Sequence, residues 1–181
     1  MKIVAVFHGE KVEEVSSELA VILSNPTMTV KGMESIQALV PAIAEHVPFA
    51  AIYTSLLARA LDAASVLALT FGFPELSGLA ALGQHANKDG NDVIFYPGYE
   101  EEDETTWQGQ GMAAVTMLLH RYGSSANILM VGQTAIIGGL VAAAHGISDK
   151  AGIHAVVANP NLIANGFVVF EVGLNKIRVV G

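Results

Sequence analysis

The chain has 181 residues, of which 52% are hydrophobic and 14% are charged, and its formal net charge at pH 7 is −8. This composition excludes a disordered chain, because disorder requires low hydrophobicity and many charges. The lack of cysteine excludes a disulfide scaffold and zinc sites built from thiolates, and it is typical of a reducing compartment. Because acidic residues outnumber lysines and arginines by 17 to 9, a nucleic-acid partner is not expected. A single domain over residues 1–181 is the simplest organisation.

Two apolar stretches bear on whether the chain enters a membrane. Residues 1–7 are too short for a secretory signal, since His8 ends the run. Residues 128–144 include Gln133, Thr134 and three glycines, and they fall below the length of a membrane span. We therefore predict a cytoplasmic protein with no membrane partner, in which residues 128–144 form a strand, a turn and a helix.

Hydrophobic periodicity predicts the elements of the first and middle parts of the chain. Continuous apolar runs predict buried strands at residues 2–7, 49–53 and 128–131. Helical spacing predicts helices over residues 12–23, 33–46, 56–69, 103–122 and 135–145. Thr54 and Ser55 are predicted to cap the third of these helices, Pro41 to kink the second, and Gly146 to close the last.

The remaining segments complete an α/β pattern. A short strand is predicted at residues 79–82, and two more at 166–172 and 176–180, joined by a tight turn at Leu174–Asn175. Residues 83–104 are polar, glycine-rich and acidic, which predicts a long surface loop of the kind that covers a site. Because strands alternate with helices, we predict a three-layer αβα fold with a mainly parallel central sheet.

Polar residues follow three of the predicted strands. They are His8–Gly9, Ser55 with Arg59 shortly after it, and Gln133–Thr134. Ligands bind such sheets at the carboxyl ends of the strands, and an arginine there can hold carboxylate or phosphoryl oxygens with two hydrogen bonds. The spacing also fits a purely structural role, in which His8 is an ordinary packed histidine and Arg59 pairs with Asp62. A ligand site and a structural role are therefore both open at this point.

Several segments, in their order and spacing, resemble the histidine phosphatase superfamily, also called the phosphoglycerate mutase-like fold. They are FHGE at 7–10, IYTSLLARALDAA at 52–64, ILMVGQTAIIGGLVAAA at 128–144 and GFVVFEV at 166–172. The resemblance implies the phosphoglycerate mutase-like fold. It also implies a phosphomonoesterase that transfers the phosphoryl group to a histidine nucleophile.

The resemblance assigns roles residue by residue. His8 matches the nucleophile, Gly9 and Glu10 match its motif partners, and Arg59 matches the second of the two arginines that surround the phosphoryl group. Gln133, followed by Thr134, occupies the place of the second histidine of the family. These matches define the candidate catalytic residue, His8, and the candidate substrate-binding residues Gly9, Arg59, Gln133 and Thr134.

Four positions depart from the family pattern. Phe7 stands in place of the first arginine, Gln133 in place of the second histidine, and Glu14 where many members have asparagine. The nearest match to the general acid is Gln84, whose amide cannot donate a proton as a carboxylic acid does. Since loss of one preorganised donor lowers a rate by roughly 100- to 1000-fold, we predict a phosphatase with weak or no activity. The alternative is a catalytically silent protein that binds a ligand or a partner through the remodelled pocket.

The remaining expectations concern ligands and assembly. A phosphorylated small molecule or another anion is the expected ligand, and no cofactor is predicted. No metal site is predicted either, because the histidines lack the spacing of metal ligands. The low fraction of charged residues and the apolar helices predict a homo-oligomer, most simply a dimer.

Overall fold

The computed structural model describes residues 1–10, 27–73, 77–78, 104–174 and 176–180. The strands are β1 (Lys2–Phe7), β2 (Ala51–Thr54), β3 (Ser77–Gly78), β4 (Asn127–Gly132), β5 (Phe167–Gly173) and β6 (Lys176–Val179). The helices are α1 (Val30–Ala44), α2 (Ala58–Phe71), α3 (Glu104–Tyr122), α4 (Thr134–Ala144) and α5 (Lys150–Val157), with a 3-10 turn at Pro160–Leu162. The helix predicted at 12–23, the strand predicted at 79–82 and nearly all of the loop predicted at 83–104 lie outside the described residues.

The strands form one sheet in the order β3-β2-β4-β1-β5-β6. β1 pairs in parallel with β4, and β2 pairs in parallel with β3 and β4, whereas β5 is antiparallel to both of its neighbours, β1 and β6. The predicted, mainly parallel sheet is therefore confirmed. At its carboxyl edge Phe7 aligns with Gly132 and Thr54 with Val131, so the residues that follow β1, β2 and β4 come together.

Helices cover both faces of this sheet. Alternate β1 side chains point to opposite faces, as the strand geometry requires. Ile3, Ala5 and Phe7 belong to a core built with α3 and α4, whereas Val4 and Val6 belong to a core built with α1 and α2. This division confirms the three-layer αβα fold, and burial of each large side chain contributes about 1.5–3 kcal/mol.

The start of α1 lies three residues before the predicted position. Thr29 is the N-cap, and its Oγ1 accepts the N–H of Gly32 at 2.9 Å. Such a cap allows the helix to begin at Val30, although β-branched valine is a poor helix former. Pro41 lies inside the helix.

The prediction that Thr54 and Ser55 cap α2 is wrong. Thr54 belongs to β2, and the N–H of Ser55 donates to the carbonyl of Val131 at 3.0 Å, which continues the pairing toward β4. Leu57 is the N-cap and has no side-chain hydrogen bond, so the helix begins at Ala58. Strand pairing therefore competes with capping for the backbone of these residues and prevails.

The last part of the chain contains the predicted hairpin and one helix that was not predicted. β5 and β6 pair antiparallel as expected, with Leu174 in their turn, while Asn175 lies outside the described residues. Across this hairpin, Arg178 donates to the carboxylate of Glu171 and lowers its pKa. The additional helix, α5, is only eight residues long, and Asp149 caps it.

No helix among the described residues is long and apolar enough to cross a membrane. Residues 128–144 belong instead to β4, α4 and the single residue between them, Gln133. This arrangement confirms the prediction of a strand, a turn and a helix for that stretch.

Candidate active site

His8 follows β1 directly and is half-buried at the carboxyl edge of the sheet. The Nε of Arg59 donates to Nε2 of His8 at 3.2 Å, and Nδ1 of His8 lies 2.9 Å from the carbonyl oxygen of Gly9. Because a guanidinium has donors only, Nε2 must be the acceptor, and Nδ1 must carry the proton that it donates to Gly9. The geometry thus selects the tautomer in which Nε2 is unprotonated and accepts from Arg59, and an unprotonated ring nitrogen is what a nucleophile requires.

The same guanidinium reaches a second residue of the site. The Nη2 of Arg59 donates to Oε1 of Gln133 at 3.0 Å, and Gln133 is only 4% exposed. Since Oε1 faces the cation, the amide Nε2 faces away from it and has no hydrogen-bond partner among the described residues. A buried donor left unpaired costs about 1–3 kcal/mol, so this nitrogen is well suited to an acceptor on a ligand.

Two helix N-termini add positive potential at this edge. α4 begins at Thr134 with Gln133 as its N-cap, and α2 begins at Ala58 with Leu57 as its N-cap. Neither cap residue makes a side-chain hydrogen bond to the first turn. The first N–H groups of a helix and its macrodipole favour a bound anion. Together with Arg59, these helix ends make the edge suitable for a phosphoryl group.

The loop that carries His8 packs closely on α1. A Cβ on Gly32 would lie 2.4 Å from the carbonyl oxygen of Glu10, and a Cβ on Gly9 would lie 2.4 Å from that of Gly32. The N–H of Thr29 also donates to the Glu10 carbonyl at 2.9 Å. The backbone of Gly9 and Glu10 is therefore held against the first turn of α1, which fixes the position of the neighbouring His8.

Gly32→Ala is expected to destabilise the fold by about 1–3 kcal/mol through overpacking, despite the higher helix propensity of alanine. It should also lower any activity that depends on His8, because the loop at Gly9 and Glu10 must move. Gly109→Ala is the matched control, since Gly109 is helical and a Cβ there meets nothing within 4 Å. Chemical denaturation of both variants tests this expectation, and equal free energies of unfolding would contradict the role given to Gly32.

Sequence reasoning missed the residues that support this loop. The N–H of Gly9 contacts the sulfur of Met28 at 3.2 Å, and the N–H of Met28 donates to Asp62 at 3.0 Å. Asp62, considered above as a partner for Arg59, therefore supports the loop through Met28. Arg59 and Asp62 lie one turn apart on α2, so one helix orients both His8 and Gly9. The Thr29 cap was the available sequence signal for this region.

A cleft of about 470 Å³ opens beside His8. It lies between residues 7–10, the α1 residues Ser35, Ile36 and Leu39, and residues 163–166 that precede β5, and Thr134 also lines it. Phe7, in the place where the family resemblance implies an arginine, is 4% exposed and packs into the core on the α3 and α4 side. The described lining residues therefore hold no lysine or arginine.

The structure brings together the residues that the sequence pointed to. His8, Arg59 and Gln133 are joined by direct hydrogen bonds, Gly9 accepts from His8, and Thr134 lies at the head of α4. Two further residues, Glu14 and Gln84, lie outside the described residues. Among those described, no group of three or more potential metal ligands occurs.

Comparison with known proteins agrees with this fold. A family model described as the histidine phosphatase superfamily (branch 1) matches residues 3–83. None of the curated proteins matches the sequence. Many solved structures share the fold. YhfR of Bacillus stearothermophilus has a TM-score of 0.71 at 18% identity, over 99% of this chain and 95% of the other.

Two further solved structures have names that describe their chemistry. A mutant phosphoserine phosphatase from Entamoeba histolytica, in complex with phosphoserine, has a TM-score of 0.68 at 15% identity over 99% of this chain and 95% of the other. The protein histidine phosphatase SixA, complexed with tungstate, has a TM-score of 0.65 at 13% identity over 100% of this chain and 95% of the other. These proteins share the fold. The family-model match adds a sequence similarity to the histidine phosphatase superfamily over residues 3–83.

Proposed function

We propose that the chain is a slow phosphomonoesterase that acts through a phosphohistidine on His8. The observation that supports this most strongly is the hydrogen-bonded chain from His8 through Arg59 to Gln133. It combines a histidine whose Nε2 is unprotonated, a cation hydrogen-bonded to it, and an amide N–H with no partner among the described residues, all at one sheet edge. Several proteins of the same fold are phosphatases by name.

The reaction has two steps in this proposal. In the first, Nε2 of His8 attacks phosphorus, the phosphorus–oxygen ester bond breaks, and the leaving oxygen takes a proton from a donor or from water. In the second, water attacks the phosphorus of the phosphohistidine and loses a proton, and the bond between phosphorus and Nε2 breaks. Inorganic phosphate leaves, and His8 is neutral again. Arg59 and the α4 N-terminus would stabilise the negative oxygens through both steps, since positioning and charge stabilisation dominate phosphoryl transfer.

The slow rate in this proposal follows from two positions that would carry a cationic side chain under the family resemblance. Phe7 and Gln133 occupy the places where the family resemblance implies an arginine and a second histidine. The side-chain amide of Gln133 can still donate a hydrogen bond, whereas the side chain of Phe7 has no donor. Because charge develops on the phosphoryl oxygens in the transition state, we expect the loss mainly in kcat rather than in KM.

Restoring the family pattern tests this explanation. Gln133→His alone, and combined with Phe7→Arg, should raise kcat at least tenfold, since one preorganised donor contributes on the order of 100-fold or more. The substrate should be an activated aryl phosphate, whose leaving group needs little protonation. Because Phe7 is buried, thermal unfolding must show that the double variant is folded. If the double variant is not folded, the single variant Gln133→His still provides the test.

Two results would contradict the proposal in different ways. Parent activity as high as that of a phosphatase with the complete residue set would contradict the degenerate site. Unchanged activity in folded restored variants would favour the second candidate, a catalytically silent protein that binds an anion or a partner. The buried, uncharged Phe7 side chain is the observation that favours this second candidate.

The expectations on assembly and location belong to the same proposal. The ligand is a phosphorylated small molecule or a related anion, the protein acts in the cytoplasm, and it assembles as a homo-oligomer. The low fraction of charged residues supports the last of these.

A further inference from the structure

We propose that the cleft beside His8 accepts an uncharged, apolar leaving group. The preferred substrates are then aryl or alkyl phosphomonoesters rather than phosphorylated carboxylic acids. This inference rests on the proposed function and adds the class of substrate. It is carried by the residues of α1, of the end of β1 and of positions 163–166 that line the cleft.

The walls of the cleft are largely apolar. Ile36 and Leu39 of α1 form one wall, Ile163 and Ala164 form another, and Phe7 lies at the carboxyl end of β1 next to His8. Ile163 is 48% exposed, so this large side chain faces solvent at the cleft. An apolar group seated there would remove that surface from water, which is favourable by about 25 cal/mol per Å².

Charge in the cleft has the wrong sign for a carboxylate. Glu10 is the one charged residue among the described lining residues. The Nζ of Lys31 lies 3.6 Å from Oε2 of Glu10. However, the Lys31 side chain is 82% exposed, and Lys31 is not among the residues that line the cleft. A substrate carboxylate would therefore meet Glu10 and lose hydration against Ile36 and Leu39, and no lysine or arginine of the described lining would compensate it.

The cleft is also held in a fixed relation to the nucleophile. The N–H of Phe7 donates to the carbonyl of Gly166 at 3.0 Å, which joins the end of β1 to the 163–166 wall. Gly166 in turn packs on Leu39, because a Cβ at that glycine would lie 2.6 Å from the leucine Cδ1. Both walls thus contact the segment that presents His8, so the site for the leaving group is preformed.

Binding of two non-hydrolysable phosphonates tests the inference without turnover. Both ligands contain a phosphonate group. Phenylphosphonate adds an apolar ring to it, and phosphonoacetate adds a carboxylate. Isothermal titration calorimetry on the full chain should give phenylphosphonate a Kd at least about tenfold lower, as expected for partial burial of a ring. Ile163→Lys should reduce or reverse this ratio, because it adds a cation at the cleft.

The control is Leu69→Lys, which makes the same change at a residue that is 85% exposed in the last turn of α2. It should leave the ratio of the two Kd values unchanged. Equal affinities, or tighter binding of phosphonoacetate by the parent, would overturn the inference and leave the proposed function intact. Binding of neither phosphonate would overturn the proposed anion site and the inference with it.

Discussion

We expect His8→Ala to abolish phosphatase activity, with a loss of roughly 1000-fold or more in kcat, as when a covalent nucleophile is removed. Without Nε2 there is no atom to accept the phosphoryl group. Binding of inorganic phosphate should survive within about tenfold, because Arg59 and the α4 N-terminus supply most of the attraction. Turnover of an activated aryl phosphate and calorimetry with phosphate together separate these two effects.

The control for this variant is His120→Ala, since His120 is exposed at the end of α3. It should retain the activity of the parent. If His8→Ala retained parental activity, the phosphohistidine mechanism would be wrong, and any turnover would belong to another group. If phosphate binding disappeared together with activity, His8 would be a binding residue as much as a nucleophile.

Arg59 should produce the second largest effect. Arg59→Met removes the cation together with the hydrogen bonds to His8 and Gln133, and we expect a loss on the order of 100- to 1000-fold in kcat/KM. Arg59→Lys should retain only slightly more kcat/KM than Arg59→Met, because an ammonium group cannot reproduce the planar guanidinium that bonds both His8 and Gln133. The loss should fall on kcat and on phosphate affinity together.

Arg121→Met is the matched control, because Arg121 lies exposed at the end of α3 and contacts the ring of Tyr122. Its effect on kcat/KM should be less than twofold. If Arg59→Lys had the kcat/KM of the parent, a positive charge alone would suffice. That result would contradict the role given to the two hydrogen bonds from the guanidinium. Measuring kcat and KM separately for each variant distinguishes these cases.

The fold could be predicted from the sequence because its signals are long and repeated. The continuous run Lys2–Phe7 is found as a strand with the predicted bounds, and the hairpin of β5 and β6 is paired as predicted. Boundaries that depend on tertiary pairing could not be predicted. Ser55 is a good N-cap by residue type, yet its N–H bonds to Val131 across the sheet, and α2 begins later.

The candidate site was predictable only in part. Strand ends and the family resemblance identified His8, Arg59 and Gln133, because these residues follow or face the carboxyl ends of parallel strands. The roles of Met28, Asp62 and Gly32 depend on how α1 and α2 approach the loop at Gly9. No local pattern encodes such contacts. The apolar cleft likewise requires α1 and the residues before β5 to meet, although they lie far apart in the sequence.

The most direct test of the account is a crystal structure grown with tungstate, an anion that mimics the phosphoryl group. Tungsten should lie within bonding distance of Nε2 of His8, with its oxygens hydrogen-bonded to Arg59, to Nε2 of Gln133 and to the first N–H groups of α4. Arg59 should shift its hydrogen bonds from His8 toward the anion. An anion bound elsewhere, or none at saturating tungstate with the Arg59–His8 contact intact, would contradict the central claim that this edge of the sheet holds a phosphoryl group.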